Sequence, residues 1–270
     1  MKKYYTRVCN FYYGTTSKKL IKNKKALPLG GNKSISFDHI EILSRNNSKL
    51  IHINHINNLS NKLRKKIKKD LKVISRKKKK FANLNFDKLP NIIGVLNLTP
   101  DSFSDGGKYN KKKNGINHAK KLISDGCDII DVGGESTRPN SKTVNKNIEW
   151  KRIYPTISKL HKLKKFISLD TRKSLIMKRG SKYGVNLIND VSGLDYDANT
   201  IDFIKKNKCP FVINHIQGSP KNMQKSPKYK NVLLDVYDYF EKKISIIRKN
   251  GIKHKNILID PGIGFGKNLK

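Results

Sequence analysis

Several polar residues in the second two-thirds of the sequence follow short β-branched runs, each where a strand is predicted to end. They are Asn97, Asp131, Asp170, Asn189, His215 and Asp260. The carboxyl ends of the strands form the active-site face of a (β/α) barrel, so polar groups in these positions converge on one mouth. Asn97 and Asp101 could in addition supply the hard oxygen ligands that Mg²⁺ prefers.

A second chemical signal is the segment DVGGESTRP, which runs from Asp131 to Pro139. Its Gly-Gly pair predicts a flexible loop after a strand, and Arg138 can bind an anion through two parallel hydrogen bonds. A phosphate or carboxylate substrate is therefore expected at this loop.

Each of these residues, taken alone, also has a purely structural explanation. Asp170 and Asp260 could cap the helices that follow them. Asn97 could be a turn residue, and Arg138 could form a surface ion pair. The repetition of a polar residue at six predicted strand ends favours a shared functional site instead.

The elements that must position these residues alternate regularly from residue 91 onward. Strands are predicted at 92–97, 128–132, 166–170, 185–189, 210–214 and 257–260, and helices at 116–124, 148–163, 172–183, 198–206 and 232–249. Alternation of strand and helix predicts a parallel α/β sheet. A (β/α)8 TIM barrel is favoured over a doubly wound sheet, since the sequence contains no glycine-rich phosphate motif.

The first 90 residues follow no such pattern and are interpreted as a separate basic N-terminal extension of unknown role. The whole chain has a formal net charge of +39, and about half of that charge lies in this extension. Lys, Asn and Ile are the residues of A- and T-rich codons, so mutational drift explains much of the charge, and nucleic acid is not expected as the main partner. Strand-like alternation occurs at 4–14 and 35–43, and residues 62–80 have the spacing of a basic amphipathic helix.

Cysteine usage and hydropathy place limits on where the protein acts. The three cysteines are far apart in the sequence, which indicates neither a zinc site nor a disulfide framework. The longest apolar runs are too short to cross a membrane, and the first residues lack the apolar stretch of a signal peptide. A reducing cytoplasm is the expected location.

Six motifs over about residues 90–270 resemble those of dihydropteroate synthases, the pterin-binding barrel enzymes of folate biosynthesis. They are NLTPDSFSDGG, DVGGESTRP, SLDT, LINDVSGL, HIQGSPKNMQ and LIDPGIGFGKN. The resemblance implies that 91–270 is a pterin-binding domain. It further implies that para-aminobenzoate displaces pyrophosphate from 6-hydroxymethyl-7,8-dihydropterin pyrophosphate, giving 7,8-dihydropteroate with the assistance of Mg²⁺.

The resemblance also implies roles for individual residues. Asp260 and Asn189 would bind the pterin ring, whose adjacent N–H donors suit a carboxylate. Asp170 would face the pterin and stabilise positive charge, and Arg138 would act with it in catalysis. The remaining assignments are Thr137 near the pyrophosphate and aminobenzoate, Phe265 on the aminobenzoate side, Asp131 in substrate binding and Asn97 at the metal.

The sequence departs from the family pattern in two respects. Asn214 and Ile216 flank His215 where the family commonly has Met, so His215 is left out of the catalytic set. The sequence stops at Lys270, after the sixth strand, which predicts a barrel truncated after about strand six and lacking the family's late Lys, Arg and His. Activity and a homodimer are therefore expected only if the barrel is completed.

Three alternative functions remain open. The first is a non-catalytic pterin-binding remnant of the enzyme, since the groups that bind pyrophosphate late in the barrel are missing. The second is a methyltetrahydrofolate-dependent methyltransferase domain, which would not need the TPDSFSDGG and GGESTRP loops. The third is a basic nucleic-acid-binding protein built on residues 1–90, which would show a steep salt dependence of binding.

Replacing the loop arginine tests the anion assignment. Arg138→Ala is expected to weaken binding of dihydropterin pyrophosphate by about tenfold or more, because a hydrogen bond to a charged group contributes about 1.5–3 kcal/mol. Binding of the bare hydroxymethylpterin should change less. Titration calorimetry with the two ligands gives the comparison, and the opposite order of effects would contradict the proposed role of the loop.

Overall fold

The structure is a computed structural model that describes residues 3–77, 81, 84, 90–99, 114–136, 141–218, 222–224 and 226–268. Thr137, Arg138 and Asp101 lie outside these described residues. The chain divides into two compact units, Met1–Lys80 and Phe81–Lys270.

The first unit is built around an antiparallel sheet. Its strands are β1 (Tyr5–Tyr13), β2 (Leu27–Leu29), β3 (Asn32–Leu43) and β4 (Ser48–His52), and its helices are α1 (Gly14–Lys22) and α2 (Asn61–Ser75). The long strand β3 pairs with each of the other three. The strand-like alternation at 4–14 and 35–43 is confirmed by β1 and β3.

Helix α2 shows why its sequence is both basic and periodic. Ile67 and Leu71 are buried in the core of the first unit, together with Phe37 and Ile40 of β3. The lysines between them, such as Lys68, are exposed. The predicted helix is therefore confirmed over Asn61–Ser75, while residues 78–80 of the prediction lie outside the described part of the chain.

The second unit contains a parallel sheet of six strands with intervening helices. The strands are β5 (Ile93–Asn97), β6 (Ile129–Gly133), β7 (Ile167–Asp170), β8 (Leu187–Asp190), β9 (Phe211–Asn214) and β10 (Ile257–Asp260). The helices are α3 (Asn114–Ser124), α4 (Lys146–Lys162), α5 (Ser174–Ser181), α6 (Thr200–Asn207) and α7 (Val232–Lys249). All the predicted strands and helices of this region are present, with ends within two residues of the predicted ones.

The order of the strands in the sheet distinguishes a barrel from a doubly wound fold. Each strand pairs with the next one along the chain, from β5 to β10, with no reversal. A doubly wound sheet reverses its strand order at the crevice where ligands bind. The unreversed order is that of a (β/α) barrel, which confirms the predicted fold class for the six strands.

The two faces of this sheet have different partners because side chains alternate along a strand. On one face, Ile130, Leu169 and Ile188 pack in a large core against helix residues such as Ile153 and Ile157 of α4. On the other face, Ile129 of β6 and Leu187 of β8 form a smaller buried apolar cluster with Phe81 and Leu84. The polar residues at the strand ends share this second face, directly above the small cluster.

The helices and the cysteines can be compared with what the composition predicts. No helix in the described part of the chain is long and apolar enough to cross a membrane. Cys9, Cys127 and Cys209 all carry free thiols.

The packing of α4 on the sheet can be tested with two isoleucines of that helix. Ile157 is fully buried, whereas Ile148 is 51% exposed. Ile157→Ala is expected to lower the free energy of unfolding by about 2–5 kcal/mol, because it leaves a cavity in the core. The matched Ile148→Ala variant should change it by about 0.5 kcal/mol or less. Urea unfolding followed by the fluorescence of Trp150, the single tryptophan, measures both; equal losses would contradict this packing.

Candidate active site

The carboxyl ends of four neighbouring strands meet in one row. Asn97 pairs in register with Gly133, Gly133 with Asp170, and Asp170 with Asn189. Residues that are paired in register project from the same face of a sheet. Three polar side chains and one glycine therefore line the same end of β5 to β8.

Gly133 is the position in this row where a side chain would crowd its neighbours. A Cβ atom built there would lie 3.1 Å from Oδ1 of Asn97 and 3.2 Å from Oδ2 of Asp170. The two oxygen atoms thus approach Gly133 from the strands on either side. Strand β6 thus contributes a residue without a side chain, and the space beside Gly133 lets Asn97 and Asp170 face the same region.

Asp131 and Asn189 make a direct contact across strand β7. Nδ2 of Asn189 donates to Oδ2 of Asp131 at 3.0 Å. Burial raises the pKa of Asp131, although hydrogen bonds from Ser168 and Asn189 partly oppose the shift. Because Nδ2 is engaged with Asp131, the orientation of the Asn189 amide is set, and its Oδ1 is the atom available to accept from a ligand.

Asp170 lies at the centre of a strongly acidic environment. Burial raises the pKa of Asp170 well above its usual range, and the negative charges of Asp131, Asp190, Glu149 and Glu135 raise it further. A carboxyl group in such surroundings favours the neutral form unless positive charge develops beside it. The mouth of the sheet is therefore suited to a ligand or transition state that carries positive charge.

Asp260, at the end of β10, is oriented through both of its carboxylate oxygens. Nδ2 of Asn214 donates to Oδ2 at 3.1 Å, and the backbone N–H of Gly262 donates to Oδ1 at 2.7 Å. Asn214 is buried and pairs in register with Asp260. Sequence reasoning noticed Asn214 only as a departure from the family pattern, and the structure gives it a contact with a predicted ligand-binding carboxylate.

The loop after β10 is closed by Lys267. Its Nζ donates to the carbonyl oxygens of Gly262 at 2.7 Å and of Phe265 at 3.0 Å, and lies 3.0 Å from Nδ1 of His215. Burial and the neighbouring charge of Lys267 lower the pKa of His215, which favours the neutral ring as the acceptor. His215 and Lys267 thus hold the loop that carries the half-buried Phe265.

A buried ion network lies beside the row and was missed by sequence reasoning. Nζ of Lys173 pairs with the carboxylates of Glu135 and Glu149, and Arg172 donates to Oε1 of Glu135 at 2.7 Å. The hydroxyl of Thr171 donates to Oε1 of Glu149 at 2.5 Å. Burial opposes the ionisation of Glu135, but Lys173 and Arg172 together hold its pKa below the usual value. The only signals in the sequence were the position of Glu135 in DVGGESTRP and of Lys173 just after Asp170.

The structure thus brings most of the sequence-predicted residues to one edge of the sheet. Asn97, Asp131, Asp170 and Asn189 lie on β5 to β8. Asp260 ends β10, and Phe265 follows in the next loop. Thr137 and Arg138 are outside the described residues, so their predicted roles stay predictions. Among the residues that the structure describes, no three His, Cys, Asp or Glu side chains are grouped to hold a metal ion.

A large cavity lies outside this row, with a volume of about 940 Å³. It is formed by the start of α4 together with α5 and α6, and Lys146, Lys178 and Lys206 contribute to its lining. None of the row's side chains lines it. The candidate site therefore rests on the strand-end geometry and not on the size of a cavity.

Asp190 is a fully buried carboxylate that faces away from the row, and it provides a test of the electrostatics. Its Oδ1 accepts from the N–H and hydroxyl of Ser192 at 2.8 and 2.6 Å. Its Oδ2 has no hydrogen-bond partner within the described part of the chain. Burial raises the pKa of Asp190 from 3.8 to about 6.

Because the folded protein holds the Asp190 proton more tightly than the unfolded chain, this group makes stability fall as the pH rises from about 4 to about 6. Above about pH 6, the ionised Asp190 lowers the free energy of unfolding by about 3 kcal/mol. Asp190→Asn is expected to raise the free energy of unfolding at pH 7 by up to about this amount, and to give little gain at pH 4. Urea titrations at the two pH values measure it, and equal gains at both would contradict the assignment.

Comparisons with known proteins agree with this geometry. Residues 93–270 match the model of a family described as pterin-binding enzymes. Dihydropteroate synthase from Escherichia coli K12 is 40% identical over 181 residues, which cover 67% of this chain and 64% of that protein. The corresponding protein from Clostridium beijerinckii is 39% identical over 177 residues, which cover 65% of this chain and 63% of that protein.

Solved structures give the same result. The Yersinia pestis dihydropteroate synthase, determined in a sulfonamide complex, has a TM-score of 0.66 and 38% identity, covering 69% of this chain and 67% of that one. The Burkholderia cenocepacia enzyme has a TM-score of 0.60 and 32% identity, covering 68% and 62%. The chain thus spans somewhat less than two thirds of the length of the E. coli and C. beijerinckii proteins that it matches. The family match covers the whole strand-and-helix region that carries the row, and on this ground the chain belongs to the family of pterin-binding enzymes.

Proposed function

We propose that this chain acts in folate biosynthesis as a dihydropteroate synthase. The reaction joins 6-hydroxymethyl-7,8-dihydropterin pyrophosphate to para-aminobenzoate. The observation that carries the proposal is the row of Asn97, Asp170 and Asn189, with Asp260 at the same end of the sheet. Relatives support it, since a Xanthomonas albilineans synthase structure contains 4-aminobenzoic acid and the B. cenocepacia structure contains 7,8-dihydropteroate.

Recognition of the pterin ring is assigned to Asp260 and Asn189. The 2-amino-4-oxo edge of a pterin presents adjacent N–H donors, which one carboxylate can accept as a pair. The contacts from Asn214 and Gly262 hold the Asp260 carboxylate in a fixed orientation for this task. A site that pairs such an edge rejects analogues lacking it by several orders of magnitude, because its polar groups would be left unpaired.

Asp170 is assigned to the chemical step. The amine of para-aminobenzoate attacks the exocyclic methylene carbon, the C–O bond to pyrophosphate breaks with its electron pair leaving on pyrophosphate, and the attacking nitrogen loses a proton. Positive charge on the pterin grows as pyrophosphate departs. An ionised Asp170 stabilises that charge, and one well-placed group of this kind contributes about 3–4 kcal/mol.

The anionic ends of the substrates are assigned to the loop residues. Thr137 and Arg138 would contact pyrophosphate and aminobenzoate, and Phe265 would pack against the aminobenzoate ring. Asp131 supports substrate binding through its contact with Asn189.

The proposal includes Mg²⁺, for which Asn97 would be the protein ligand. The side chain of Asn97 is exposed at the mouth, with Oδ1 beside Gly133. An amide oxygen such as Oδ1 of Asn97 suits Mg²⁺, which usually keeps several waters and is held largely by substrate phosphates. When bound, the ion would neutralise charge on the leaving pyrophosphate.

The proposal also covers the organisation of the protein. Residues 91–270 form the pterin-binding domain and residues 1–90 a basic extension of unknown role. We place the protein in the cytoplasm, with small-molecule substrates as partners, no membrane, and a homodimer if the barrel is completed.

The function is tested by incubating the protein with both substrates and measuring pyrophosphate. Release that depends on para-aminobenzoate supports the synthase. If the protein binds pterin but releases no pyrophosphate, the synthase assignment is contradicted and a non-catalytic pterin-binding remnant is favoured. The intact mass of the protein from its own cells, compared with 30.9 kDa, shows which polypeptide carries the activity.

Asp260→Ala is expected to weaken pterin binding by at least about 100-fold. The substitution removes the two proposed hydrogen bonds from the pterin N–H groups to the carboxylate, each contributing about 1.5–3 kcal/mol. The control Asp202→Ala removes an exposed carboxylate from α6 and should leave the affinity within about twofold. Equilibrium binding of 6-hydroxymethyl-7,8-dihydropterin, followed by calorimetry, provides the measurement. Equal affinities of Asp260→Ala and the parent protein would overturn the assignment of Asp260.

A further inference from the structure

The loop 261–267 connects two residues that the proposed function assigns to different substrates. It follows Asp260, assigned to the pterin ring, and it contains Phe265, assigned to the aminobenzoate ring. Four residues separate the two. The path of this short loop therefore determines how far the aromatic side chain lies from the pterin carboxylate.

Glycines give this loop little shape of its own. Gly262, Gly264 and Gly266 all adopt positive φ, at 63°, 98° and 59°. Glycine reaches such conformations without steric cost, but it loses more conformational freedom on ordering than any other residue. The backbone N–H of Phe265 closes one turn by donating to the carbonyl oxygen of Gly262 at 2.9 Å. The rest of the loop's shape has to come from side-chain donors.

Lys267 supplies such donors from the end of the loop. Its Nζ donates to the carbonyl oxygens of Gly262 at 2.7 Å, Phe265 at 3.0 Å and His215 at 3.3 Å, and lies 3.0 Å from Nδ1 of His215. His215 directly follows β9, and its backbone N–H donates to the carbonyl oxygen of Asp260 at 2.9 Å. One ammonium group thus joins the first turn of the loop, the backbone of Phe265 and the ends of β9 and β10.

Two further side chains hold the outer part of the loop. Nε2 of Gln224 donates to the carbonyl oxygen of Gly264 at 2.6 Å, and the hydroxyl of Tyr229 donates to that of Gly266 at 2.7 Å. Each of them reaches a single carbonyl group. Lys267 differs because it connects the start of the loop to its aromatic position.

The surroundings of Nζ make Lys267 sensitive to the shape of the loop. Its hydrogen-bond partners are carbonyl oxygens and a ring nitrogen rather than a carboxylate. Burial lowers the pKa of Lys267, and the negative charge of Asp260 partly opposes the shift. Taking a cation out of water is costly unless its donors are satisfied. The position therefore favours the one loop conformation in which all these acceptors meet Nζ.

We infer that Lys267 is a positioning residue that fixes the distance between Asp260 and the side chain of Phe265. The inference rests on the proposed function and adds to it a determinant of how a ligand fits both substrate positions at once. The pterin alone depends less on Lys267, because Asn214 also orients the Asp260 carboxylate.

The test compares two ligands that differ in whether they reach Phe265. 6-Hydroxymethyl-7,8-dihydropterin fills the pterin position alone, whereas 7,8-dihydropteroate joins the pterin to aminobenzoate. In the full 270-residue chain, Lys267→Met removes the donors and keeps a side chain of similar length. Its dissociation constant for 7,8-dihydropteroate is expected to rise about tenfold, because the ligand then has to order the loop, while that for the bare pterin stays within about twofold. A loss of fold stability alone would not change the ratio of the two constants.

Lys255→Met is the matched control. It makes the same chemical change at an exposed lysine just before β10, and it should leave the ratio of the dissociation constants unchanged. Lys267→Gln keeps an amide donor and loses the charge, so its ratio should rise by about threefold. That variant carries the test should Lys267→Met fold poorly. An unchanged ratio in the Lys267 variants, or an equal change in Lys255→Met, overturns the inference.

A ligand-free readout separates this inference from the proposed function. Amide hydrogen exchange in residues 262–266 should be accelerated in Lys267→Met and not in Lys255→Met, whether or not any pterin binds. Unchanged exchange overturns the positioning role. Accelerated exchange in a protein that binds neither ligand supports the restraint of the loop by Lys267 and contradicts only the synthase assignment.

Discussion

The in-register parallel pairing of β5 to β8 is the constraint on which the candidate site depends. It places Asn97, Gly133, Asp170 and Asn189 in one row. A shift by one residue in any of these strands would turn its whole set of side chains to the other face. Leu169, for example, would then replace Asp170 at the mouth. The apolar alternation that buries Leu169 against the helices therefore also turns Asp170 toward the mouth of the sheet.

The same convergence concentrates negative charge. Asp131, Asp170 and Asp190 are all buried deeply enough that their pKa values are raised, whereas Glu135 and Glu149 pair with the buried Lys173. Ionisation of several neighbouring buried carboxyl groups is electrostatically unfavourable. In the proposed reaction, a ligand that supplies N–H donors and then develops positive charge would reduce this electrostatic penalty.

The strands, the helices and the row could be predicted because each leaves a local pattern in the sequence. Short β-branched runs predicted the strands of the second unit, and a polar residue at each strand end predicted Asn97, Asp170 and Asp260. Helix α1 and the short strands β2 and β4 left no pattern strong enough to assign. The contacts of Asn214 with Asp260, Lys267 with His215 and Lys173 with Glu135 join residues 46, 52 and 38 positions apart, and no periodicity encodes such pairs.

These unpredicted contacts share one feature, which is that they act on residues the sequence did reveal. Asn214 and the Gly262 N–H orient Asp260, Lys267 closes the loop of Phe265, and Lys173 binds Glu135 of the DVGGESTRP motif. A side chain that touches substrate must be of one chemical type, and motifs record it. A side chain that orients another needs only a donor or an acceptor in the right place, which Asn214 supplies where the family commonly has Met. Motifs therefore identify the chemistry of this site, and only the fold shows what holds it in position.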